Sequence, residues 1–378
     1  MSSAAERSGR AMTGEERRRY ARQLLLPGFG SAGQDALIAA RVLVIGAGGL
    51  GSVTAPYLAA AGVGTIGIVD DDVVDESNLQ RQLLHDTASV GMPKVASAAA
   101  RLLALNPLVR VETHPVRLDA ANAVELIGSY DLVVDGADNF ATRYVVADAA
   151  ALTGRPHVWG SILRFDGQVS VWWPPHGPCY RCVFPAAPPE GSVASCAEAG
   201  VFGSLCAAIG SVQASEAIKL LSGLGEPLIG RLLVHDALAA TWSTVAVRAN
   251  PQCALCGDHR TITAPVSAPE VVADQSRPRL DVTGLVTALS DPETLLVDVR
   301  EPAEWATGVI AGARLIALGD LAAAGLPRDR RLVLYCAAGG RSARGVATLS
   351  DLGYRSVTDL AGGITAWAAE RPIVAPTG

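Results

Sequence analysis

Three groups of residues in this chain have the types and spacing to do chemistry. The first lies in Arg41-Val-Leu-Val-Ile-Gly-Ala-Gly-Gly-Leu-Gly51, where Gly46, Gly48 and Gly51 spell G-x-G-x-x-G, with Gly49 between them. Glycines so spaced let a backbone approach a phosphate at a helix N-terminus, and Asp70, ending the next apolar run, is placed to hold a ribose. The second is the pair of turns Cys179-Tyr-Arg-Cys182 and Cys253-Ala-Leu-Cys256. Two C-x-x-C turns supply four thiolates for tetrahedral structural Zn²⁺, a site with no open position for catalysis. One such turn alone would read equally as a redox dithiol or as chance. The third is Cys336-Ala-Ala-Gly-Gly-Arg341, a thiol followed by two glycines, an arginine and a helix start. Backbone N–H groups and Arg341 at that position favour a thiolate, and the same cradle would hold a terminal persulfide sulfur.

Taken alone, the glycine loop and Asp70 say NAD or FAD. The residues after Gly51 are Ser52-Val53 rather than the Lys-Ser/Thr of a Walker loop, so a triphosphate here would need cations from elsewhere. Arg81, in Ser77-Asn-Leu-Gln-Arg-Gln82, and Lys94, in Gly91-Met-Pro-Lys94, are candidates, one as a fork and one as a point charge. Ordinary surface charge on a solvated helix is the plain alternative. Composition sharpens the case for Lys94: of 31 basic residues only Lys94 and Lys219 are lysine, and Lys219 reads as a solvated helix position. Asp138, in Leu132-Val-Val-Asp-Gly-Ala-Asp-Asn139, follows a strand at the edge where parallel sheets bind ligands. It could hold Mg²⁺ beside a phosphate, or the Asp-Asn pair could simply cap the next helix. Cys206 reads as core. Cys196 reads either as a reactive thiol on a loop or as a residue buried at a helix start.

These residues need elements to carry them. Residues 13–40 read as helical, and residues 42–135 alternate strands (Val42–Ile45, Thr65–Val69, Val109–Val116, Leu132–Val134) with helices at 50–61, 92–104 and 119–128. Such alternation predicts a parallel sheet covered on both faces. The uncharged stretch Val42–Val69 is broken by glycines and by Pro56, which is expected to bend its helix, so it reads as strand–helix–strand rather than a membrane span. Strands near Gln168–Trp173 and Arg231–His235 and an apolar helix through 201–221 follow. Ala264–Arg279 reads as a linker, and Leu295–Val299 and Leu332–Tyr335 belong to a second, smaller α/β unit.

The 378 residues allow two or three domains, and a charged fraction of 18 % describes a globular chain. A net charge of −6 argues against nucleic acid as a partner. Met1–Arg22 has no apolar core, so no signal peptide is expected, and seven cysteines then imply a reducing, cytoplasmic setting.

In their order, these motifs resemble a known pair of families. Residues 13–258, with Gly46–Gly51, Asp70, Ser77–Gln82, Lys94, Asp138-Asn139 and the paired C-x-x-C turns, resemble the ubiquitin-activating-type ThiF/MoeB-like adenylyltransferases of molybdopterin and thiamine biosynthesis. Residues 279–378, with Asp298-Val-Arg-Glu301 and the Cys336 loop, resemble a rhodanese domain, leaving 259–278 as linker. The combination is that of the MoeZ-type adenylyltransferase/sulfurtransferases. The resemblance implies an α/β fold with a Rossmann-like, mostly parallel sheet extended by antiparallel strands, and a smaller α/β rhodanese domain. It implies that ATP is bound with Asp70 on the ribose and Asn78, Arg81 and Lys94 on the phosphates, while Asp138 coordinates Mg²⁺. It implies a homodimer in which Arg22, in Tyr20-Ala-Arg-Gln23, reaches the partner's site. Cys196 matches a cysteine that traps or resolves the intermediate. The implied reaction adenylates a small ubiquitin-like sulfur carrier ending in Gly-Gly and gives it sulfur from a persulfide on Cys336, charged by a cysteine desulfurase or thiosulfate. No nucleic acid or membrane is involved. Two departures stand out: Ala337 occupies a position commonly basic in rhodanese loops, and Val309 and Ala311 replace the usual His and Pro. The competing readings are a dinucleotide-dependent oxidoreductase fused to a rhodanese domain and a scaffold that binds carriers without turnover.

Overall fold

The computed structural model describes residues 11–174, 176–188, 200–266, 279–337 and 339–376. They fall in two compact units, residues 11–266 and residues 279–376, each with its own sheet and core. The first unit opens with three helices, α1 (Gly14–Arg19), α2 (Ala21–Leu24) and α3 (Gly30–Ala39), where one helical region was expected. Pro27 and Gly28, the latter at φ +78°, separate the second from the third. Then come β1 (Arg41–Ile45), α4 (Gly51–Ala61), β2 (Thr65–Val69), α5 (Lys94–Leu105), β3 (Arg110–His114), α6 (Ala123–Gly128), β4 (Leu132–Asp135) and α7 (Phe140–Thr153). β5 (His157–Leu163), β6 (Asp166–Trp172), α8 (Tyr180–Val183), α9 (Gly203–Ser222), β7 (Arg231–Asp236) and β8 (Thr241–Ala246) complete the unit.

The sheet order is β3-β2-β1-β4-β5-β6-β7-β8. The first five strands are parallel, with Val44 opposite Ile68 on one side and Val134 on the other, and the last three pairings are antiparallel. The run Val42-Leu-Val-Ile45 is apolar throughout because both faces of β1 are covered. Val42 and Val44 pack in one core cluster with Leu58, Val95 and Ile209, while Leu43 and Ile45 pack in the other with Ile127, Val145 and Val146. Helix α4 is continuous through Pro56. β1 lies between β2 and β4, so successive strands leave it in opposite directions, and the crevice for a ligand opens at the carboxyl ends of β1 and β4. Gly46, Asp70 and Asp138 all follow strands at that edge.

The second unit is built of α10 (Val282–Leu289), β9 (Thr294–Asp298), α11 (Pro302–Trp305), β10 (Arg314–Leu315), β11 (Arg331–Tyr335), α12 (Gly340–Asp351), β12 (Val357–Asp359) and α13 (Gly363–Glu370). Its parallel sheet runs β10-β9-β11-β12. β11 is inside the sheet, with Val333 and Tyr335 in one core cluster and Leu332 and Leu334 in the other. It delivers Cys336 to the carboxyl edge. Among the described residues no helix is long and apolar enough to cross a membrane.

Candidate active site

At the carboxyl edge of the first sheet lies a cavity of about 340 Å³ lined by Gly46, Gly48, Gly49, Asp70, Arg81, Lys94 and Asp138. Seven of the residues singled out in the sequence, drawn from five separate stretches, meet there. The turn after β1 is held from both sides. The Ala47 N–H donates to Asp70 Oδ2 (2.8 Å), and the Ala47 carbonyl bonds His85 Nε2 (2.9 Å), whose Nδ1 meets Ser97 Oγ (2.9 Å) on α5. Gly46 has φ +84°, and a Cβ on Gly51 would lie 1.9 Å from the Gly46 carbonyl oxygen, so strand end and helix start touch backbone to backbone. A Cβ on Gly49 would meet Cys206 Sγ of α9 at 2.7 Å, which gives the buried Cys206 its packing role. A Cβ on Gly48 meets nothing closer than Gln82 Nε2 at 3.7 Å.

Burial pushes the Asp70 carboxyl up, against the N–H bonds from Asp72 and Ala47 and the Lys94 charge. A ligand hydroxyl donating to Asp70 would relieve that cost. Burial likewise lowers the His85 imidazole, so the ring that braces Ala47 is the neutral one. Lys94, the first residue of α5, is buried to 7 % side-chain exposure with Nζ 2.8 Å from Asp72 Oδ2. Arg81 donates Nη1 to the Ser77 carbonyl (3.2 Å). Asn139, not Asp138, caps α7, accepting from the Thr142 N–H at 2.8 Å, which leaves the exposed Asp138 carboxylate on the cavity wall. Asn78 and Arg22 are not on that wall: Asn78 closes a 3₁₀ turn beside Ser77, and Arg22 is exposed on α2.

The four paired cysteines come together. Cys179 Sγ is 3.7 Å from Cys182 and 3.5 Å from Cys253, and Cys182 is 3.4 Å from Cys256. All four sulfurs lie within 4.8 Å of one another. Tetrahedral zinc with Zn–S bonds of about 2.3 Å needs sulfurs roughly 3.8 Å apart, so the donor set fits. The bond to Cys179 holds the Cys182 thiol below the usual thiol range, and the same bond pushes Cys179 above it. Between these cysteines, Arg181 forks onto the fully buried Asp148 of α7 at 2.6 and 2.9 Å.

In the second unit Cys336 is buried, and its Sγ accepts from the Gly339 N–H at 3.1 Å. Ser342 Oγ lies 3.7 Å from that sulfur and 2.9 Å from Asp359 Oδ2. Gly363, at φ +59°, lets the start of α13 approach the loop, since a Cβ there would sit 2.3 Å from the Cys336 carbonyl oxygen. Arg341 does not stand alone beside the thiol, as its position in sequence suggests: it makes a bidentate pair with Glu304 at 2.6 and 2.7 Å.

Comparison with known proteins decides the family. The ThiF family model matches residues 20–255, and the rhodanese-like domain model matches residues 281–370. The chain belongs to the ThiF family. A probable adenylyltransferase/sulfurtransferase MoeZ of Mycobacterium tuberculosis is 48 % identical over 95 % of this chain and 95 % of its own. A sulfur carrier protein adenylyltransferase of Thermus thermophilus is 56 % identical over 66 % of this chain and 94 % of its own. A solved structure of Escherichia coli MccB shares the fold, with a TM-score of 0.58 at 22 % identity over 65 % of this chain and 78 % of that one.

Within this ThiF-family unit, sequence reading passed over several residues of the site. Asp72, His85, Gln82 and Arg143 each line the cavity or hold its wall, and Arg143 donates Nη2 to the Ala137 carbonyl at 3.0 Å. Gln82 carried a visible signal, being a polar residue in the Ser77–Gln82 motif already singled out. Lys219 is paired rather than solvated, with Nζ 2.5 Å from Glu216 Oε1. Cys196 lies outside the described residues.

Proposed function

We propose that this adenylyltransferase and sulfurtransferase activates the C-terminal glycine of a ubiquitin-like sulfur carrier ending in Gly-Gly and converts it to a thiocarboxylate. The observation that carries the reading is the gathering of Gly48, Asp70, Arg81, Lys94 and Asp138 on one cavity wall at the strand switch point. A carboxylate is a poor electrophile. Attack of its oxygen on the α-phosphorus of ATP expels pyrophosphate and leaves an acyl-adenylate. Arg81 and Lys94 neutralise the phosphates, Asp70 fixes the ribose, and the glycine loop offers N–H groups, so the work is positioning and charge neutralisation. Asp138 would hold Mg²⁺, which supplies further neutralisation of phosphate charge. Zn²⁺ on Cys179, Cys182, Cys253 and Cys256 would be structural. Arg22 would act in the partner's site of a homodimer.

In the second stage the persulfide of Cys336 attacks the activated carbonyl and displaces AMP, forming an acyl disulfide. A second thiol then attacks the Cys336 sulfur, releasing the thiocarboxylate and leaving a disulfide to be reduced; Cys196 is the residue that matches this role. The dinucleotide reading leaves Arg81, Lys94 and the cysteine turns without a task, and the named relatives give it no support. The setting is proposed to be cytoplasmic, and the pathway served, molybdopterin synthesis among them, follows from the carrier.

ATP–pyrophosphate exchange with a panel of Gly-Gly-ending carriers tests the reading. Cys336→Ala is expected to keep carrier-dependent exchange and make no thiocarboxylate, and Asp138→Ala to lose exchange. Loss of exchange in a folded Cys336→Ala protein would refute this division of labour.

A further inference from the structure

Ala47, in the middle of the glycine loop, is joined to the first turn of α5 by two separate chains of hydrogen bonds. One starts at its N–H, which donates to Asp70 Oδ2 (2.8 Å). Asp70 Oδ1 accepts from the Asp72 N–H (2.9 Å), and Asp72 Oδ2 accepts from Lys94 Nζ (2.8 Å). The Asp72 carbonyl also accepts from the Lys94 N–H at 2.9 Å, where α5 begins. The other chain starts at the Ala47 carbonyl, enters His85 at Nε2 (2.9 Å) and leaves from Nδ1 to Ser97 Oγ (2.9 Å) on α5.

The two chains differ in what a nucleotide does to them. Asp70, Asp72 and Lys94 line the cavity, so a ribose on Asp70 and a phosphate on Lys94 compete for the atoms that hold the first chain together. His85 and Ser97 are buried behind the wall, at 7 % and 6 % exposure, and present no group for a ligand to take. The His85 backbone N–H also donates to the Gln82 carbonyl at 3.1 Å, in the turn that carries Arg81. One residue thereby fastens the glycine loop, the helix of Lys94 and the turn of Arg81 to each other. A carbonyl only accepts, so Nε2 carries the ring hydrogen and Nδ1 is left to accept from the Ser97 hydroxyl. A neutral imidazole supplies that donor and acceptor from opposite sides of one rigid ring.

We propose that His85 is a positioning residue for the nucleotide: it keeps the glycine loop in register with Lys94 and Arg81 while the ligand occupies Asp70 and Lys94 and loosens the chain through Asp72. A triphosphate that touches three elements gains the full strength of its contacts only where those elements are already ordered, because ordering them on binding subtracts from affinity. The proposal rests on the reading of the cavity as an ATP site and adds the residue that holds its parts together.

Titration calorimetry of MgATP into the full chain tests this, alongside thermal melting without nucleotide. His85→Ala, which breaks both ring bonds, should weaken MgATP binding about tenfold, and Ser97→Ala, which breaks one, about threefold. His85→Gln puts an amide N–H where Nε2 stands and should also bind about threefold more weakly. His85→Asn reaches only to the place of Nδ1, leaves Ala47 unheld and should be about tenfold weaker, like His85→Ala. Adding Ser97→Ala to His85→Ala should leave the loss at about tenfold, because the hydroxyl then has nothing to act through. A residue needed only for folding would lower the number of sites per chain and leave Kd alone. Ser97→Ala keeps the question answerable if the His85 variants fail to fold. An unchanged Kd in both His85→Ala and Ser97→Ala, fewer sites at an unchanged Kd, or His85→Asn binding as tightly as His85→Gln overturns the proposal alone. A wild-type chain that takes up no MgATP overturns it together with the reading of the cavity beneath it.

Discussion

Gly48 and Gly51 stand three residues apart in one loop and answer to different demands. Gly51 is required by the fold, because any Cβ there would collide with the Gly46 carbonyl oxygen at 1.9 Å. Gly48 is not, since its nearest neighbour at Cβ would be 3.7 Å away and its φ is not positive. Gly51→Ala should therefore lower stability by about 1–3 kcal/mol through forced backbone movement. Gly48→Ala should melt like the wild type yet weaken ATP binding, which paired denaturation and nucleotide titrations would show. Glu304 gives a pH prediction of known sign. Its folded carboxyl titrates below the ordinary 4.5, so it favours the fold at pH values above 4.5 and loses that contribution as pH falls through the lower folded value. Urea midpoints taken between pH 7 and pH 3 should fall less in Glu304→Gln than in the wild type. At this scale the spacing of glycines and cysteines was legible because those residues act through short loops. Glu304 was not, because it meets Arg341 across 37 residues of sequence.

At the scale of elements, β1, β2 and β4 could be read from sequence because each is an apolar run buried between helical segments, and β3, the half-exposed edge strand, was marked by its Val and Thr residues. β5 and β8 escaped. β5 is buried over its first four residues but carries His157, Trp159, Gly160 and Ser161 among its apolar ones, and β8 (Thr-Trp-Ser-Thr-Val-Ala) is exposed along its whole length, so neither shows the apolar sequence pattern that marks a strand. β2 has the expected bounds and β1 and β4 each run one residue longer, whereas two elements are markedly shorter than expected: β3 keeps only Arg110–His114, and α6 begins at Ala123 because the Asp119 carboxylate folds the preceding residues into a turn. Because β1 is sealed on both sides, Leu43→Ala should cost about 2–5 kcal/mol, the usual range for a fully buried leucine. A loss under 1 kcal/mol in chemical denaturation would contradict a rigid central strand.

For the whole molecule, the cysteine cluster links regions far apart in sequence. Cys179 and Cys182 flank Tyr180, which packs with Trp159, Trp172 and Tyr144, and Arg181, which reaches Asp148 of α7. Asp148 also accepts from the Val266 N–H at 3.0 Å. Chelation should therefore change tryptophan fluorescence and lower the melting temperature of the first unit while leaving the alkylation rate of Cys336 as it was. Unaltered fluorescence after complete metal removal would count against a structural role.

The scarcity of lysine has a consequence for a protein that makes acyl-adenylates. Such a product is attacked by any free amine nearby, giving an isopeptide and AMP, and an enzyme rich in surface lysine would tag itself with its own substrate. This chain offers two amine side chains, and both are occupied: Lys94 lies on Asp72, and Lys219 on Glu216 and the Glu226 carbonyl. Its composition thus protects it from self-acylation, and its intact mass should stay constant through many turnovers.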